Sequence, residues 1–315
     1  MMLDYLPELM TQRGIALFTI AALPVTAFLA WFLTGQVIKQ LKASAILDHP
    51  NERSSHDMPT PRGGGWGILA VLFPSWTLIL GFGGLPIETF WLLTAAALLA
   101  WVSWLDDLRT IPARYRFGVQ FIAVMMGLFA LTPFGPVTQG LLPLWLDRLV
   151  LGFAWLWFIN LYNFMDGIDG LAGAETTTIG IGVAAVILIS PTMAEGWPTG
   201  ALIAISMAGA SLGFLWWNWS PARVFMGDVG SIPLGFLIGW LLFCLAAQGH
   251  LIAAVIIPLY FCADASLTLI RRVATGSKPW QPHREHFYQR ATQNGLSHAN
   301  TVIAICIGNV ALIGC

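Results

Sequence analysis

Ten apolar segments, most of them long enough to approach the ~30 Å hydrocarbon core of a bilayer, take up the greater part of the chain. They run over 15–33, 66–83, 89–105, 117–134, 149–164, 171–190, 201–217, 232–247, 251–270 and 296–314. No soluble domain of ordinary size fits between them. Hydrophobic residues make up 57% and charged residues 10% of the chain, against roughly 45–50% and about 25% in soluble domains. The sequence therefore predicts an all-α integral membrane protein with about ten transmembrane helices, organised as a single polytopic membrane domain over 1–315.

Charge sets the expected orientation. Of the 15 basic residues, all but Arg13 and Arg148 lie in connections that follow odd-numbered segments. The positive-inside rule then puts those connections in the cytoplasm and both termini outside. The same partition, made without reference to acids, gathers Asp106, Asp107, Asp166, Asp169 and Asp228 on the cytoplasmic side. The N-terminus lacks a basic start and a small-residue cleavage site, so the first segment is expected to stay as an anchor. Net charge is −1, and no basic run or aromatic RNA motif appears, which sets nucleic acid aside. The four cysteines stand singly in apolar sequence and read as small buried hydrophobes.

The densest polar cluster is Asn160-Leu161-Tyr162-Asn163-Phe164-Met165-Asp166-Gly167-Ile168-Asp169-Gly170. Steps of three residues keep neighbours on one side of a helix. Oxygen ligands beside bare glycine backbone at a segment end suit a hydrated divalent cation and a phosphate. Asp106 and Asp107 end the third segment, and adjacent carboxylates need a cation or arginines such as Arg109, Arg114 and Arg116 to offset their repulsion. Asp228 sits in Phe225-Met226-Gly227-Asp228-Val229-Gly230-Ser231, where Ser231 is placed to cap the following helix and its positive end would favour a phosphate.

The first cytoplasmic connection, 36–65, reads as loop. Its Arg62-Gly63-Gly64-Gly65, with Arg53 upstream, offers backbone N–H groups to a phosphate; a flexible linker is the other reading. Asp264 lies within the ninth segment, with Thr268 and Arg271 following at i+4 and i+7, so an ion pair to Arg271 and a catalytic role are both open. His283, Arg284 and His286 in the last cytoplasmic connection form an anion-binding set rather than a zinc site, for which cysteine or a third histidine is missing. His250 and His298 read as structural.

These clusters, in this order, resemble the polyprenyl-phosphate N-acetylhexosamine-1-phosphate transferases. The matching motifs are Asp106-Asp107, Asn160-x-x-Asn163-x-x-Asp166-Gly167-x-Asp169-Gly170, Phe225 to Ser231, and His283-Arg284-x-His286. The O-antigen-initiating branch is the nearest, through Pro59-Thr60-Pro61-Arg62-Gly63-Gly64-Gly65 and His283 to Arg290. The peptidoglycan branch usually carries a lysine after its aspartate pair and consecutive histidines. Here Arg109, Thr110 or Ile111 takes the lysine's place and the histidines are separated. A phospho-MurNAc-pentapeptide transferase is the alternative, and a secondary transporter a distant one, because transporter acids belong near the midplane.

The resemblance implies a bacterial inner-membrane enzyme whose active site is formed by cytoplasmic loops and helix ends. Undecaprenyl phosphate would attack a UDP-N-acetylhexosamine, release UMP, and start O-antigen or another surface polysaccharide. It implies Mg2+, with Mn2+ as a substitute, held by Asp228 and Asn163. Asp106, Asp107 and Asp228 would be catalytic, while Asn160, Asn163, Asp166, Asp169, His283, Arg284, His286 and Arg62 would bind substrate. The sugar is not read from the sequence, and a homodimer is one of the assemblies left open.

Overall fold

The computed structural model describes residues 12–50, 58–277 and 283–315. Arg53, and the Lys278 to Pro282 stretch of the last connection, lie outside the described residues. The chain is helical: α1 (Gln12–Ala43), a two-residue antiparallel pair β1 (Leu47–Asp48) and β2 (Thr60–Pro61), α2 (Gly65–Gly81), α3 (Thr89–Leu108), α4 (Ala113–Ala130), α5 (Leu144–Phe164), α6 (Leu171–Ile189), α7 (Pro191–Gly196), α8 (Gly200–Asn218), α9 (Asp228–Leu245), α10 (Leu251–Ile256), α11 (Leu259–Ala274), α12 (Phe287–Gln293) and α13 (His298–Ile313).

Among the described residues six stretches are long and apolar enough to cross a membrane, at Leu17–Ala43, Thr89–Leu108, Leu144–Phe164, Leu171–Ile189, Gly200–Asn218 and Asp228–Ile256, and two shorter apolar helices are Gly65–Gly81 and His298–Ile313. Each of the ten expected segments is helical, with two corrections. First, α1 continues to Ala43, so the first quarter of the anticipated loop over 36–65 is helix. Second, the ninth segment is itself divided. The boundary between the eighth and ninth segments stands at the non-helical Gln248 and Gly249, where Gly249 has φ +93°, and a further break at Pro258 separates α10 from α11. Proline has no N–H to continue the helical ladder, so the polar helix α11 starts afresh there.

α9 is the hub. It is apolar on every side, a pattern expected of a helix surrounded by others, and all of its residues but Asp228 and Phe243 are buried. It packs on α3, α5 and α2. Trp155 of α5 donates from Nε1 to the Phe236 carbonyl at 2.9 Å and stacks on the Phe236 ring at 4.9 Å. Inside lipid, helices gain nothing by hiding apolar surface from one another, so small residues that admit close van der Waals contact decide the packing. α1 lies along α8 on that basis: a Cβ placed on Gly213 would sit 2.1 Å from the Ala27 carbonyl oxygen and 2.7 Å from the Trp31 nitrogen. Gly213→Ala must therefore push α1 off α8. The expected cost is about 1–3 kcal/mol, read as a lowered thermal midpoint in detergent, and an unchanged midpoint would show that the two backbones separate freely.

Candidate active site

The third helix ends in two carboxylates with different tasks. Asp107 turns inward, its side chain fully buried. Its two oxygens accept from the Asp228 N–H at 3.1 Å and the Val229 N–H at 2.9 Å, the first amides of α9. Asp107 thus does from another helix the capping that the sequence assigned to Ser231, the N-cap position itself being Gly227. Ser231 instead sits within α9, donating to the Gly227 carbonyl and accepting from Asn163 Nδ2 at 2.8 Å. Gly227 has φ +74°, and a Cβ there would lie 2.8 Å from Asp107 Oδ2, so this turn requires glycine.

The triple glycine is also reassigned. Gly63 and Gly64 donate to the Phe225 carbonyl and Gly65 to the Met226 carbonyl at 2.9 Å. These amides are spent within the protein and do not cradle a phosphate. A Cβ on Gly65 would come within 2.2 Å of the Gly230 Cα, which explains the absence of a side chain. Bridging of Arg62 to Phe225, beside the β1–β2 pair, swings the Arg62 side chain over the start of α9. There Nε lies 2.9 Å from Asp107 and an outer nitrogen 3.0 Å from Asp228. Burial works against the guanidinium, but Asp107 and Asp228 more than compensate and raise its pKa.

Asp106 binds Arg116 at 2.7 Å and accepts from the Ile111 N–H at 2.6 Å. Arg116 also reaches Asp228 at 3.5 Å, so it bridges two acids across α3, α4 and α9. The compensating partner of the aspartate pair is thus Arg116 with Arg62, rather than Arg109. Asn163 donates to Asp228 at 3.2 Å and to Ser231. The Asn163 nitrogen is therefore the atom that faces Asp228. Asn160, one turn back, donates to Gln120 at 2.9 Å.

Helical spacing holds only as far as Asn163, because α5 stops at Phe164 and residues 165–170 form a turn. Asp166 is partly buried in that turn, and burial followed by the nearby Asp228 charge pushes its carboxyl up to about 7. Asp169 points elsewhere. It accepts from the Ala222 N–H at 3.1 Å and lies 3.3 Å from His298 Nδ1, and although burial opposes its ionisation these partners hold its pKa below the ordinary value. His298 therefore fastens α13 to the polar turn.

The segment 283–290 forms a strap across α11. Asp264 does not pair with Arg271, which is exposed; it faces His286 instead, at 3.2 Å. His286 is buried, its ring 4.8 Å from that of His283. Burial, then the neighbouring His286 and Arg272 charges, lower the His283 pKa to about 4.

Among the described residues no group of three or more His, Cys, Asp or Glu side chains converges to hold a metal. Asp228 offers one carboxylate, with the Asn163 amide beside it at 3.2 Å. That fits an ion such as Mg2+, which keeps several waters and takes one or two carboxylates plus substrate phosphates. Next to this pair opens a cavity of about 300 Å³ between α3, α4, α5 and α9. Leu99, Val102, Phe117 and Ile232 supply much of its apolar lining, and Gln120, Asn160, Arg116, Asn163 and Asp228 its polar lining.

The architecture is that of an all-α integral membrane protein with an acidic, arginine-bridged site at its helix ends. Residues 89–246 match the family Glycosyl transferase family 4. The chain is similar to the probable undecaprenyl-phosphate N-acetylglucosaminyl 1-phosphate transferase of Bacillus subtilis (strain 168), 29% identical over 89% of this chain and 80% of that one. It is similar to the decaprenyl-phosphate N-acetylglucosaminephosphotransferase of Mycolicibacterium smegmatis, 30% identical over 94% of this chain and 80% of the relative. Similarity extends to the phospho-N-acetylmuramoyl-pentapeptide-transferase of Streptococcus gordonii, 27% identical over 84% of this chain and 83% of the relative. The chain belongs to glycosyl transferase family 4, the family its motifs indicated.

Asp166 provides a check on this electrostatic picture. Its folded-state pKa is raised, so the folded protein retains a proton that the unfolded chain releases, and stability must fall as pH rises from 3.8 towards about 7. Asp166→Asn removes that penalty. In chelator, thermal unfolding at pH 8 should find the variant more stable by on the order of 1–2 kcal/mol, with the gap closing towards pH 4. A gap that widens on acidification would mean the carboxyl is ionised throughout.

Proposed function

We propose that this protein transfers N-acetylhexosamine-1-phosphate from a UDP-sugar to undecaprenyl phosphate on the cytoplasmic side of a bacterial inner membrane. The observation that carries the proposal is the cavity between α3, α4, α5 and α9. Its apolar walls suit an isoprenoid chain, and its polar lining brings Arg116, Asn163 and Asp228 together where a terminal phosphate would sit. An oxygen of the lipid phosphate attacks the β-phosphorus of the donor. The bond from that phosphorus to the bridging oxygen breaks, UMP leaves with the electron pair, and lipid-linked sugar diphosphate remains.

A divalent cation on Asp228, beside the Asn163 amide, would offset the repulsion between the two anions and the charge developing on UMP. Arg116, held by Asp106, receives the acceptor phosphate. Arg62, held by Asp107, faces the same charge from the other side. A phosphate monoester has a second pKa of about 6, so the acceptor is mostly dianionic at neutral pH and needs no strong base. Both Asp106 oxygens are already engaged, by Arg116 and the Ile111 amide, which favours a positioning role over covalent attack. Asp166 approaches the nucleotide, Asp169 braces the same turn through Ala222 and His298, and the 283–290 strap approaches the diphosphate. By its motifs the product enters O-antigen or related surface-polysaccharide synthesis.

UMP release is the decisive assay, using purified protein, undecaprenyl phosphate, Mg2+ and a panel of UDP-N-acetylhexosamines. One sugar should support turnover, and Asp228→Asn should reduce it by at least about 10³-fold. Turnover only with UDP-MurNAc-pentapeptide would move the chain to the peptidoglycan branch. Arg116→Ala is expected to raise the KM for the lipid about tenfold while leaving that for the UDP-sugar within about twofold, since losing one charge-assisted contact costs about 1.5 kcal/mol. Equal changes in both constants would remove Arg116 from the acceptor site.

A further inference from the structure

α11 carries a polar stripe that the catalytic reading leaves unused. Tyr260, Asp264, Thr268 and Arg272 recur at i+4 and so share one helix face. Asp264 is 2% exposed, and a carboxylate so placed survives only when its oxygens are satisfied. It accepts from the Phe287 N–H at 2.9 Å, the Tyr288 N–H at 3.1 Å and the Tyr260 hydroxyl at 3.1 Å, besides its contact with His286 Nδ1. Arg272 pairs with Glu285. One face of α11 thus binds the strap at three successive residues and at Glu285 before them.

The other edge of the strap reaches the catalytic turn. Tyr288 donates from its hydroxyl to the Phe164 carbonyl at 2.9 Å, at the end of the helix that carries Asn163. A Cβ on Gly167 would lie 2.1 Å from that hydroxyl oxygen, so the glycine after Asp166 is what admits the ring. His286 stacks on Tyr288 with ring centroids 5.6 Å apart.

We infer that Asp264 is a positioning residue for the donor diphosphate: it clamps the strap so that Arg284 and His286 are held in fixed register with the Asn163–Asp166 turn. The inference rests on the proposed sugar-phosphate transfer. Asp264 touches no reacting atom. Its carboxylate keeps the His286 proton on Nδ1, so that Nε2 is the nitrogen that responds to a ligand, the arrangement by which outer carboxylates orient working imidazoles. It also draws the first amides of α12 together, and through Tyr288 the clamp extends to the turn that holds the metal-side asparagine. A loose strap would still close over the donor, at the expense of ordering it on each encounter.

A double-mutant cycle tests this. Asp264→Asn should raise the KM for the UDP-sugar about tenfold, leave that for the lipid acceptor within twofold, and lose nothing more when combined with His286→Ala, because both changes break one unit. Equal rises in both constants, or effects of the two substitutions that multiply, would overturn the inference. Should Asp264→Asn fail to fold, Tyr288→Phe opens the clamp at its far edge while keeping the Asp264 hydrogen bonds, and the same split in KM is expected; wild-type kinetics would overturn it. If the wild type turns over no UDP-sugar, the proposed function fails separately. The clamp is then judged by tryptic cleavage after Arg284 and Arg290, which Tyr288→Phe should accelerate severalfold and which an unrelated role for Asp264 would leave unchanged.

Discussion

The site depends first on the hydrogen bonds from the α9 amides to Asp107. A helix start leaves N–H groups without partners, and inside a bundle such groups are costly to bury. Asp107 satisfies two of them from the end of α3, and its negative charge meets the positive end of the helix dipole. The same carboxylate takes Arg62, so one side chain joins α3, the loop after β2 and α9. Asp228 is the first residue of the helix fixed in this way, and its position is a consequence of the cap.

Charge compensation follows from that arrangement. Asp106, Asp107 and Asp228 could not share this space without cations. Arg62 and Arg116 lie between them, each bridging Asp228 to one member of the aspartate pair. Both arginines are more than a third exposed, so they can turn towards an incoming phosphate while the acids stay in place. The acids set where positive charge waits, and that charge is what two anionic substrates require. Removing either partner of such a partly buried pair leaves the other uncompensated, which costs more than the pair contributes when intact.

Much of this was legible in the sequence because the bilayer restricts what a chain can do. The apolar segments had to be helices, and acids at segment ends had to have a task. Asn163 and Asp228 were singled out and lie 3.2 Å apart across 65 positions of sequence. Other expectations failed for physical reasons. Three glycines look like a phosphate loop until Phe225 and Met226 take their amides, and a local motif cannot reveal a distant carbonyl. Counting along one helix offered Arg271 as one possible partner for Asp264, whereas His286, Phe287 and Tyr288 meet it from a segment more than twenty residues on. The i+4 run of Tyr260, Asp264, Thr268 and Arg272 was the available signal, and it points to α11 facing a polar neighbour rather than lipid.

The sequence by itself determined the all-helical membrane architecture and the identity of the polar groups, since hydropathy and the cost of burying charge act residue by residue. Only the tertiary structure decided which oxygen meets which nitrogen. That pairing made Asp107 a helix cap, Arg116 a bridge, the glycines packing surfaces and Asp264 a clamp. Hydrogen bonds and ion pairs act over about 3 Å, and the distances that matter here join residues far apart in the chain, so close packing of α9 with its neighbours had to form before those roles existed.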